Sequence, residues 1–486
     1  MAKGKFRSPR GTRDLYPEDL LRQHYITDAW RRVSIRHGFD EIAGPTFELL
    51  DLYKVKSGDG IVSELFSFRR DGGDTDHALR PEFTPTLARL FASRSASLPV
   101  PTKWFTAGPY FRAERPQRGR LREFLQWNCD VIGDDSESAT ADLLAVCVGV
   151  LDDLGLNSAT VQAEIGSRQF LTTWCEHKGI GADGVDSVCW MLDNIAKLPA
   201  DALAKGAADR GLTPEQASAV STMRDQVIAW QNDPAWTESD VLEGWPDGFA
   251  EAVRDVFAGG DARGITDRIF PSPLIARGLA YYTGTVFELI ADGERAVAGG
   301  GRYDNLIELF GGPPTPAVGF GMGDVVLGLL LEDKDLMPEG AELRQSLSQP
   351  TPSLRPKAFI IADDDEAEFI EPLLANLRLG IESPQHESHK PWAKSRYTLP
   401  PMHARRSYRS KRKKQLQDAS AQHAEFAVIV NEPNKVELRD MDNPRDELTP
   451  NSIDAFSASA RGSFADFSVD PDSPVYVGKA IASLLS

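Results

Sequence analysis

The feature that most limits the folds open to this chain is a polar hairpin pattern between residues 104 and 132. The stretches 104–111 and 124–132 predict two strands. Between them, residues 115–120 read RPQRGR, and the proline and glycine predict an exposed loop. Its arginines could bind a polyphosphate, because a guanidinium matches phosphate oxygens in bidentate fashion. A hairpin with a cationic loop is therefore expected in the first third of the chain.

The second strand of this hairpin carries polar side chains where a core strand would be apolar. Because side chains alternate across a strand, Phe124, Gln126, Asn128 and Asp130 share one face. An aromatic ring, amides and a carboxylate on one face suit a cleft that holds a base and a cationic or amine ligand. An amphipathic strand on a solvent-facing sheet gives the same pattern, and spacing alone favours that simpler interpretation.

A second unusual segment joins a lone arginine to paired tyrosines and a glycine triplet. It reads RGLAYYTGT from Arg277 and continues as GGGRYD from Gly299. Glycines allow a ligand to approach the backbone closely, although a hairpin with glycine turns and core tyrosines is the simpler explanation. Neither GxGxxG nor GxxxxGK[ST] is matched, so a Rossmann or P-loop nucleotide site is not supported.

Length, composition and charge limit the class of protein. The 486 residues predict about three domains. Apolar residues make up 41% and charged residues 26%, which is typical of soluble globular proteins. No run approaches the roughly 18 apolar residues that a membrane span needs. The 54 basic and 72 acidic residues give a net charge of −18, so the chain as a whole repels a phosphate backbone.

Contact with nucleic acid would therefore need a local basic patch, and one exists. Between Glu387 and Asp418 no acidic residue occurs, whereas ten are lysine or arginine. A solvated loop or a disordered basic insertion explains this charge run as simply. The four cysteines form no CxxC pair and predict free thiols in a reducing cytoplasm.

The pattern along the chain predicts several units. Residues 1–169 and 266–335 alternate strand and helix signals, and 170–265 predict an inserted helical domain. Residues 336–356, with four prolines, predict a linker. Residues 357–445 predict a smaller α/β domain with a basic insertion. The tail, 446–486, is polar and gives no structural prediction.

Four motifs in order make the chain similar to the class II histidyl-tRNA synthetase family. RGTRD from Arg10 resembles the family's N-terminal motif, and FRAERPQRGR from Phe111 resembles class II motif 2. RGLAYYTGTVFE from Arg277 and AGGGRYD from Ala298 resemble two peptides particular to histidine enzymes. The resemblance implies an α+β fold, in which an antiparallel sheet flanked by helices carries an inserted helical domain and a C-terminal α/β anticodon-binding domain.

The resemblance also implies an amino-acid site. Family members convert histidine and ATP to histidyl-adenylate and then transfer histidine to tRNA. Three residues are expected to hold the α-amino group and three to surround the imidazole: Glu82, Thr84 and Gln126, then Asp130, Tyr281 and Tyr282. The family usually has glutamate where Asp130 stands, so the reach here is one methylene shorter.

An ATP site is implied on the same grounds. Arg112 is expected on the α-phosphate, Phe124 on adenine, and Glu114 and Arg120 near the rest of the nucleotide. Arg112 and Arg277 are the expected catalytic residues, because cations stabilise the charge that develops at the α-phosphate. Mg²⁺ is expected with ATP, and no protein ligand for a metal is assigned.

One departure concerns class II motif 3, which usually ends in Gly-x-Glu-Arg with the arginine against adenine. The matching stretch here is GDVV, with Val326 in place of the arginine. The sequence does not say how adenine is held without it.

The C-terminal unit resembles the family's anticodon-binding domain, so tRNA is the expected partner of its basic segment. The expected contacts are Arg409, Lys411, Arg412 and Lys414. A homodimer is expected through motif 1, near residues 40–56. Two other functions stay open: a non-catalytic paralogue that senses histidine as a regulatory subunit of ATP phosphoribosyltransferase, and a sensor of uncharged tRNA.

Overall fold

The architecture comes from a computed structural model. It describes residues 6–57, 62, 64–181, 184–195, 197–231, 249–275, 281–291, 296–348, 353–363, 367–382, 397–432, 435–442 and 474–485.

An eight-stranded sheet forms the centre of the larger unit. Its order is β1-β5-β6-β11-β10-β9-β7-β8, with parallel pairs at the two edges and antiparallel pairs between them. Strands β5 and β6 are the predicted hairpin. In chain order, the strands are β1 (Asp40–Glu41), β5 (Thr102–Phe111), β6 (Glu123–Ile132), β7 (Val161–Ser167), β8 (Ile269–Pro271), β9 (Thr285–Ala291), β10 (Ala298–Arg302) and β11 (Ala317–Gly323). A separate three-stranded sheet, of order β2-β4-β3, is made by β2 (Phe47–Leu49), β3 (Ser67–Arg69) and β4 (Asp76–Leu79).

Helices cover one face of the central sheet and leave part of the other open. Trp127, Cys129 and Val131 of β6 lie in a large hydrophobic cluster with Trp30 and Leu143 from two helices. The alternate residues of β6 face the opposite side, as predicted. The helices of this unit are α1 (Pro17–Arg36), α2 (Leu50–Ser57), α3 (Thr84–Ala92), α4 (Glu137–Asp153), α5 (Arg168–His177), α6 (Val185–Asn194), α7 (Ala200–Ala208), α8 (Pro214–Gln231), α9 (Phe249–Ala262), α10 (Leu306–Leu309), α11 (Asp324–Asp333) and α12 (Gly340–Leu347).

The predicted helical insertion corresponds to α5–α9. These helices do not build a core of their own, because Trp174, Val188 and Val256 join the same hydrophobic cluster as the sheet and α4. Residues 232–248 lie outside the described part. The insertion is thus continuous in packing with the unit that carries it.

The C-terminal unit is a four-stranded mixed sheet between helices, in line with the predicted α/β fold. The sheet order is β15-β12-β16-β17, and β12 is parallel to both neighbours. One face packs on α13 and α15, the other on α14. Its strands and helices are β12 (Ala358–Ile361), α13 (Ala367–Leu379), β13 (Ile381–Glu382), β14 (Tyr397–Leu399), β15 (Ala404–Arg406), α14 (Arg412–Ala421), β16 (Phe426–Glu432), β17 (Lys435–Asp440) and α15 (Pro474–Leu485).

Two helices form in segments whose sequences predicted none. Residues 340–347, inside the predicted linker, form α12 and pack against α1 through the buried Leu343. In the tail, α15 places Val477 and Ile481 in the hydrophobic cluster of the C-terminal unit. Both helices gain their stability from long-range apolar packing, which local composition does not register. Residues 443–473 and 383–396 lie outside the described part.

A buried carboxylate joins the two units. Asp142 of α4 accepts Lys103 Nζ at 2.5 Å and lies 3.4 Å from Arg263 Nε and 3.5 Å from Arg378 Nη1. Lys103 and Arg263 belong to the larger unit, whereas Arg378 ends α13 of the C-terminal unit. Each of these side chains is less than a tenth exposed. Glu371 of α13 extends the cluster, because it accepts both Arg263 and Arg406 at 2.8 Å.

Candidate active site

The open face of the central sheet holds a cavity of about 500 Å³. It contains all six residues predicted to contact histidine, together with Arg112. The lining residues are Glu82, Thr84, Arg112, Gln126, Asn128, Asp130, Tyr281, Tyr282, Gly299, Tyr303, Gly319, Phe320 and Gly321. Residues that are up to 239 positions apart in the chain thus meet in one site.

The floor of the cavity is a polar strand beside a glycine-rich one. In the register of β6 and β11, Asp130 pairs with Gly319 and Asn128 with Gly321. A Cβ on Gly319 would lie 1.9 Å from Asp130 Oδ1, and one on Gly321 would lie 2.9 Å from Gln126 Nε2. The missing side chains of β11 therefore make the space that the polar side chains of β6 occupy.

Gln126 and Asn128 hold each other in place. Gln126 Nε2 donates to Asn128 Oδ1 at 2.9 Å, and both side chains are buried. This bond fixes the amide of Gln126 so that its carbonyl oxygen is an acceptor for a ligand's ammonium group.

Asp130 is the most buried acid of the cavity. It is 4% exposed and accepts a short hydrogen bond from the hydroxyl of Tyr303. Burial raises the pKa of Asp130 from 3.8 to about 7, and the bond from Tyr303 only partly offsets this effect. Burial, with Asp130 beside it, also raises the pKa of Tyr303, so the tyrosine is the donor. The carboxyl oxygen not bonded to Tyr303 is suited to accept an N–H from a small ligand.

Three tyrosines wall the cavity next to this acid. The ring centroids of Tyr281 and Tyr282 are 4.7 Å apart, and those of Tyr281 and Tyr303 are 6.2 Å apart with nearly perpendicular planes. Flat aromatic walls of this kind suit a planar heterocycle such as imidazole.

Glu82 and Thr84 lie at the start of α3, on a segment held by a buried arginine. Arg80 Nε donates to the carbonyl of Pro109 at 2.8 Å, and its guanidinium lies 4.6 Å from the ring centroid of Tyr110. Gly108 is required beside it, because a Cβ there would be 2.5 Å from Arg80 Nη2. Arg80 therefore fixes the segment that carries Glu82 against the β5–β6 hairpin.

The hairpin places the predicted ATP contacts beside the cavity. Arg112 Nε donates to the carbonyl of Pro81 at 3.2 Å, and its guanidinium lies 5.1 Å from the ring centroid of Phe124. Glu114 and Arg120 form a close ion pair across the loop. The loop closes with paired backbone bonds between Gln117 and Arg120. These contacts place the arginine, the aromatic ring and the ion pair on one hairpin, next to the cavity.

The two remaining positions of the predicted nucleotide site are Arg277 and the motif 3 position, Val326. Arg277 lies outside the described residues. Val326, at the position matched to the motif 3 arginine, is 8% exposed and belongs to the hydrophobic cluster under the sheet. Residue 326 therefore faces the core and not the cavity.

Several cavity residues were given no binding role from the sequence. Alternation placed Asn128 on the face of Gln126 and Asp130, but its hydrogen bond with Gln126 is seen only in the structure. Tyr303 follows the glycine triplet, but only its fold-dependent contact with Asp130 reveals its role. Gly299, Gly319 and Gly321 line the cavity by lacking side chains, which no spacing rule indicates.

The predicted tRNA contacts form a different surface. Arg409, Lys411, Arg412 and Lys414 surround the start of α14 in the C-terminal unit. Arg409 pairs with Asp418 at 3.1 Å and Arg412 with Asp363 at 2.9 Å. Lys411 and Lys414 are exposed.

The described residues contain no group of three or more histidine, cysteine, aspartate or glutamate side chains placed to hold a metal ion. None of their helices combines the length and the apolar character that crossing a membrane requires.

Similar sequences and folds are known. A family model described as histidyl-tRNA synthetase matches residues 11–323. The histidine–tRNA ligase of Haloarcula marismortui is 38% identical over 336 residues, which cover 68% of this chain and 76% of that protein. The chloroplastic/mitochondrial histidine–tRNA ligase of Arabidopsis thaliana is 37% identical over 336 residues, or 68% of this chain and 67% of that protein.

Solved structures extend the likeness to the fold. A histidyl-tRNA synthetase from a Nostoc species superposes with a TM-score of 0.53 at 21% identity, over 91% of this chain and 96% of that one. A Bacillus halodurans protein described as an ATP phosphoribosyltransferase regulatory subunit/histidyl-tRNA synthetase has a TM-score of 0.56 at 21% identity, over 76% and 89%. At such identities the likeness concerns the fold alone. The family model and the two ligases carry the assignment: this chain belongs to the histidyl-tRNA synthetase family of aminoacyl-tRNA ligases.

Proposed function

We propose that this protein is a histidine–tRNA ligase, which activates histidine with ATP and transfers it to the histidine tRNA. The observation that supports this most strongly is the single cavity that unites Glu82, Gln126 and the Asp130–Tyr303 pair with Arg112. One lining thus combines a carboxylate, an N–H acceptor beside tyrosine rings and a cation, which match the groups of histidine and a phosphate.

At the amino-acid end, polar side chains of the cavity bind the polar groups of histidine by hydrogen bonds and charge pairing. Glu82, Thr84 and the Gln126 carbonyl accept the N–H groups of the α-ammonium, and charge pairing offsets its desolvation. Asp130 accepts an imidazole N–H, while Tyr281 and Tyr282 enclose the ring. An amino acid without that donor leaves a buried polar group unpaired, so it is rejected.

The nucleotide end works by electrostatics. Phe124 stacks on adenine, Arg112 binds the α-phosphate, and Glu114 and Arg120 border the rest of ATP. A carboxylate oxygen of histidine attacks the α-phosphorus, and the bond to pyrophosphate breaks. Arg112 and Arg277 stabilise the charge that develops there. A terminal tRNA hydroxyl then attacks the carbonyl carbon of the adenylate, and AMP leaves.

Mg²⁺ belongs to the proposal as a companion of ATP. Glu114 offers carboxylate oxygens of the hard type that Mg²⁺ prefers, although it is paired with Arg120. Phosphate oxygens and water supply the other ligands in sites of this kind, so the residues present fit the ion. When bound, the ion neutralises phosphate charge.

The domain roles follow from the same function. Residues 1–169 and 266–335 form the catalytic core, 170–265 the insertion, and 357–445 the anticodon-binding domain. In that last domain Arg409, Lys411, Arg412 and Lys414 contact tRNA. The local excess of cations makes this possible in a chain whose net charge is −18.

A homodimer and a cytoplasmic location complete the proposal. Phe47, Leu49 and Phe68, on the small sheet near motif 1, are each roughly half exposed, and the ring centroids of Phe47 and Phe68 are 5.8 Å apart. An aromatic patch of this kind is typical of a protein interface. The four cysteines are all unpaired thiols, as a reducing compartment favours.

Histidine-dependent exchange of pyrophosphate into ATP tests the function. We expect exchange with histidine and none with the other amino acids. The variant Arg277→Ala should lose exchange while it still binds histidine. Absence of exchange in the unaltered protein, with histidine binding intact, would contradict the ligase and favour a histidine-sensing regulatory subunit.

A further inference from the structure

A buried acid at the start of α11 links three distant parts of the chain beside the nucleotide site. Asp324 is 3% exposed. Its Oδ2 accepts Arg13 Nη2 at 2.6 Å and Gln23 Nε2 at 3.0 Å, and its Oδ1 accepts the backbone N–H of Leu125 at 2.9 Å. The carboxylate thus connects the N-terminal segment and α1 to the strand that carries Phe124.

The N-terminal segment is also fixed directly to the hairpin. The carbonyl of Gly11 accepts the backbone N–H of Arg122 at 2.7 Å. Gly11 has a φ of +88°, and a Cβ there would lie 2.7 Å from Pro116 Cγ and 2.9 Å from Arg122 Cγ. Residues 11–13 therefore pack closely on the β5–β6 hairpin. The position of Arg13 is determined by this packing and by its bond to Asp324.

Arg13 combines a fixed position with access to solvent. Its side chain is 34% exposed, whereas the carboxylate that holds it is 2% exposed. The bond to Asp324 involves one of the five N–H groups of the guanidinium, and the partial exposure of the side chain leaves room for a ligand contact. A guanidinium held by a buried acid loses little further freedom when it binds a planar ring.

Arg13 is placed to supply the cation that the motif 3 position, Val326, lacks. Residue 326 faces the hydrophobic core, so the adenine side of the site lacks a cation from that helix position. Arg13 bonds the same carboxylate that holds Leu125, the residue directly after Phe124. Arg112 lies over the Phe124 ring and is the proposed phosphate contact, so a second cation beside this strand would complete the site at its base end.

We propose that Arg13 is a nucleotide-binding residue that contacts the adenine of ATP, and that Asp324 is the positioning residue that holds it there. The inference rests on the proposed ligase function. It assigns the base-end cation to the N-terminal segment, 311 residues from its carboxylate partner.

The test compares binding of ATP, adenosine and inorganic tripolyphosphate to Arg13→Gln, measured by calorimetry on the full chain. We expect about tenfold weaker binding of both ATP and adenosine, the loss typical of one cation–π or charge-assisted contact. Tripolyphosphate and histidine should bind as they do to the unaltered protein. Arg13→Lys should recover part of the loss, and Asp324→Asn should lose adenosine affinity to a smaller extent.

Arg22→Gln is the matched control, because Arg22 pairs with Glu339 at the same 2.6 Å and has a similar exposure of 29%. It should bind all four ligands normally. ATP affinity of Arg13→Gln equal to that of this control would overturn the proposal. A loss confined to tripolyphosphate would overturn the adenine contact, and equal losses for histidine and adenosine would indicate a purely structural role. Because binding is measured directly, the result stands apart from whether exchange occurs at all.

Discussion

At the scale of single residues, Asp130 provides the buried acceptor of the cavity and also contributes to the pH dependence of the protein's stability. Its pKa rises from 3.8 to about 7 because the folded chain buries it. Between these values the unfolded chain has lost the proton while the folded chain retains it. Rising pH over this interval therefore favours the unfolded state through this group, and the effect is constant above about 7.

Asp130→Asn should remove this pH dependence. We expect the melting temperature of the variant, relative to the unaltered protein, to rise from pH 4 to pH 7 and then to stay level. Melting temperatures of both proteins are measured at half-unit pH intervals, and their difference is plotted against pH, so that the effects of other titrating groups cancel. A difference that does not change from pH 4 to pH 7 would mean that Asp130 is already ionised at pH 4 in the folded protein.

Gly319 is the residue whose missing side chain matters most to the site. In Gly319→Ala the new methyl would lie 1.9 Å from Asp130 Oδ1 and 3.0 Å from Tyr303 Oη, so the carboxylate has to move. Histidine affinity should fall by at least about tenfold, since a displaced acceptor loses one charge-assisted bond. Binding of ATP should change little.

The control for this variant is Gly328→Ala. There the added Cβ meets only Ile26 Cδ1, at 3.6 Å, an ordinary contact. Calorimetric titration with histidine compares the two. Equal histidine affinity in both would show that the space beside Asp130 does not matter.

At the scale of elements, α14 presents the cations that are proposed to bind tRNA. Lys411 and Lys414 are exposed, whereas Arg409 and Arg412 are engaged with carboxylates. The double variant Lys411→Glu, Lys414→Glu should weaken tRNA binding by one to two orders of magnitude at low salt, because phosphate contacts dominate such affinities. Pyrophosphate exchange, which needs no tRNA, should stay unchanged.

Titration of tRNA at several salt concentrations measures this effect, and the variant should also show a shallower salt dependence. The exposed lysine pair Lys178 and Lys205 of the insertion, changed to glutamate, serves as the charge-matched control. Equal losses in both variants would point to a general charge effect and contradict a site at α14.

At the scale of the whole molecule, Asp142 couples the larger unit to the C-terminal unit. Burial alone would raise its pKa, but Lys103, Arg263 and Arg378 hold it well below the ordinary range. This carboxylate therefore stays charged at neutral pH, and its stabilising contribution is lost only as the pH falls below the ordinary value of an aspartate.

Asp142→Asn should weaken the contact between the units strongly. Three buried cations lose their common partner, and removing one member of a buried ionic group costs about 3–5 kcal/mol. Chemical unfolding should show this loss, and transfer to tRNA should fall more than pyrophosphate exchange. Asp40→Asn is the control, because Asp40 pairs with Arg405 across the same interface but is 59% exposed, so the loss should be below about 1 kcal/mol. Equal, small losses in both variants would contradict the role of Asp142.

Local patterns were enough to predict the hairpin and to name most of the polar residues that line the cavity. Alternation along β6 placed Gln126, Asn128 and Asp130 on one face, and the family motifs supplied Glu82, Thr84 and the paired tyrosines. Composition did not indicate α12 inside the predicted linker, because a short helix with few local signals is stabilised by packing against α1. The comparison with motif 3 showed that residue 326 is a valine and not an arginine. It did not show that this side chain faces the hydrophobic core.

The sequence by itself determined which residues alternate on β6, which loops are cationic and which family the chain resembles, because these follow from side-chain chemistry and the two-residue period of a strand. Only the tertiary structure decided that Gly319 lies opposite Asp130, that Tyr303 donates to that acid and that Asp324 holds Arg13. Each of these contacts joins segments that are more than 170 residues apart. Their geometry depends on cross-strand register and on packing between layers, which no local pattern encodes.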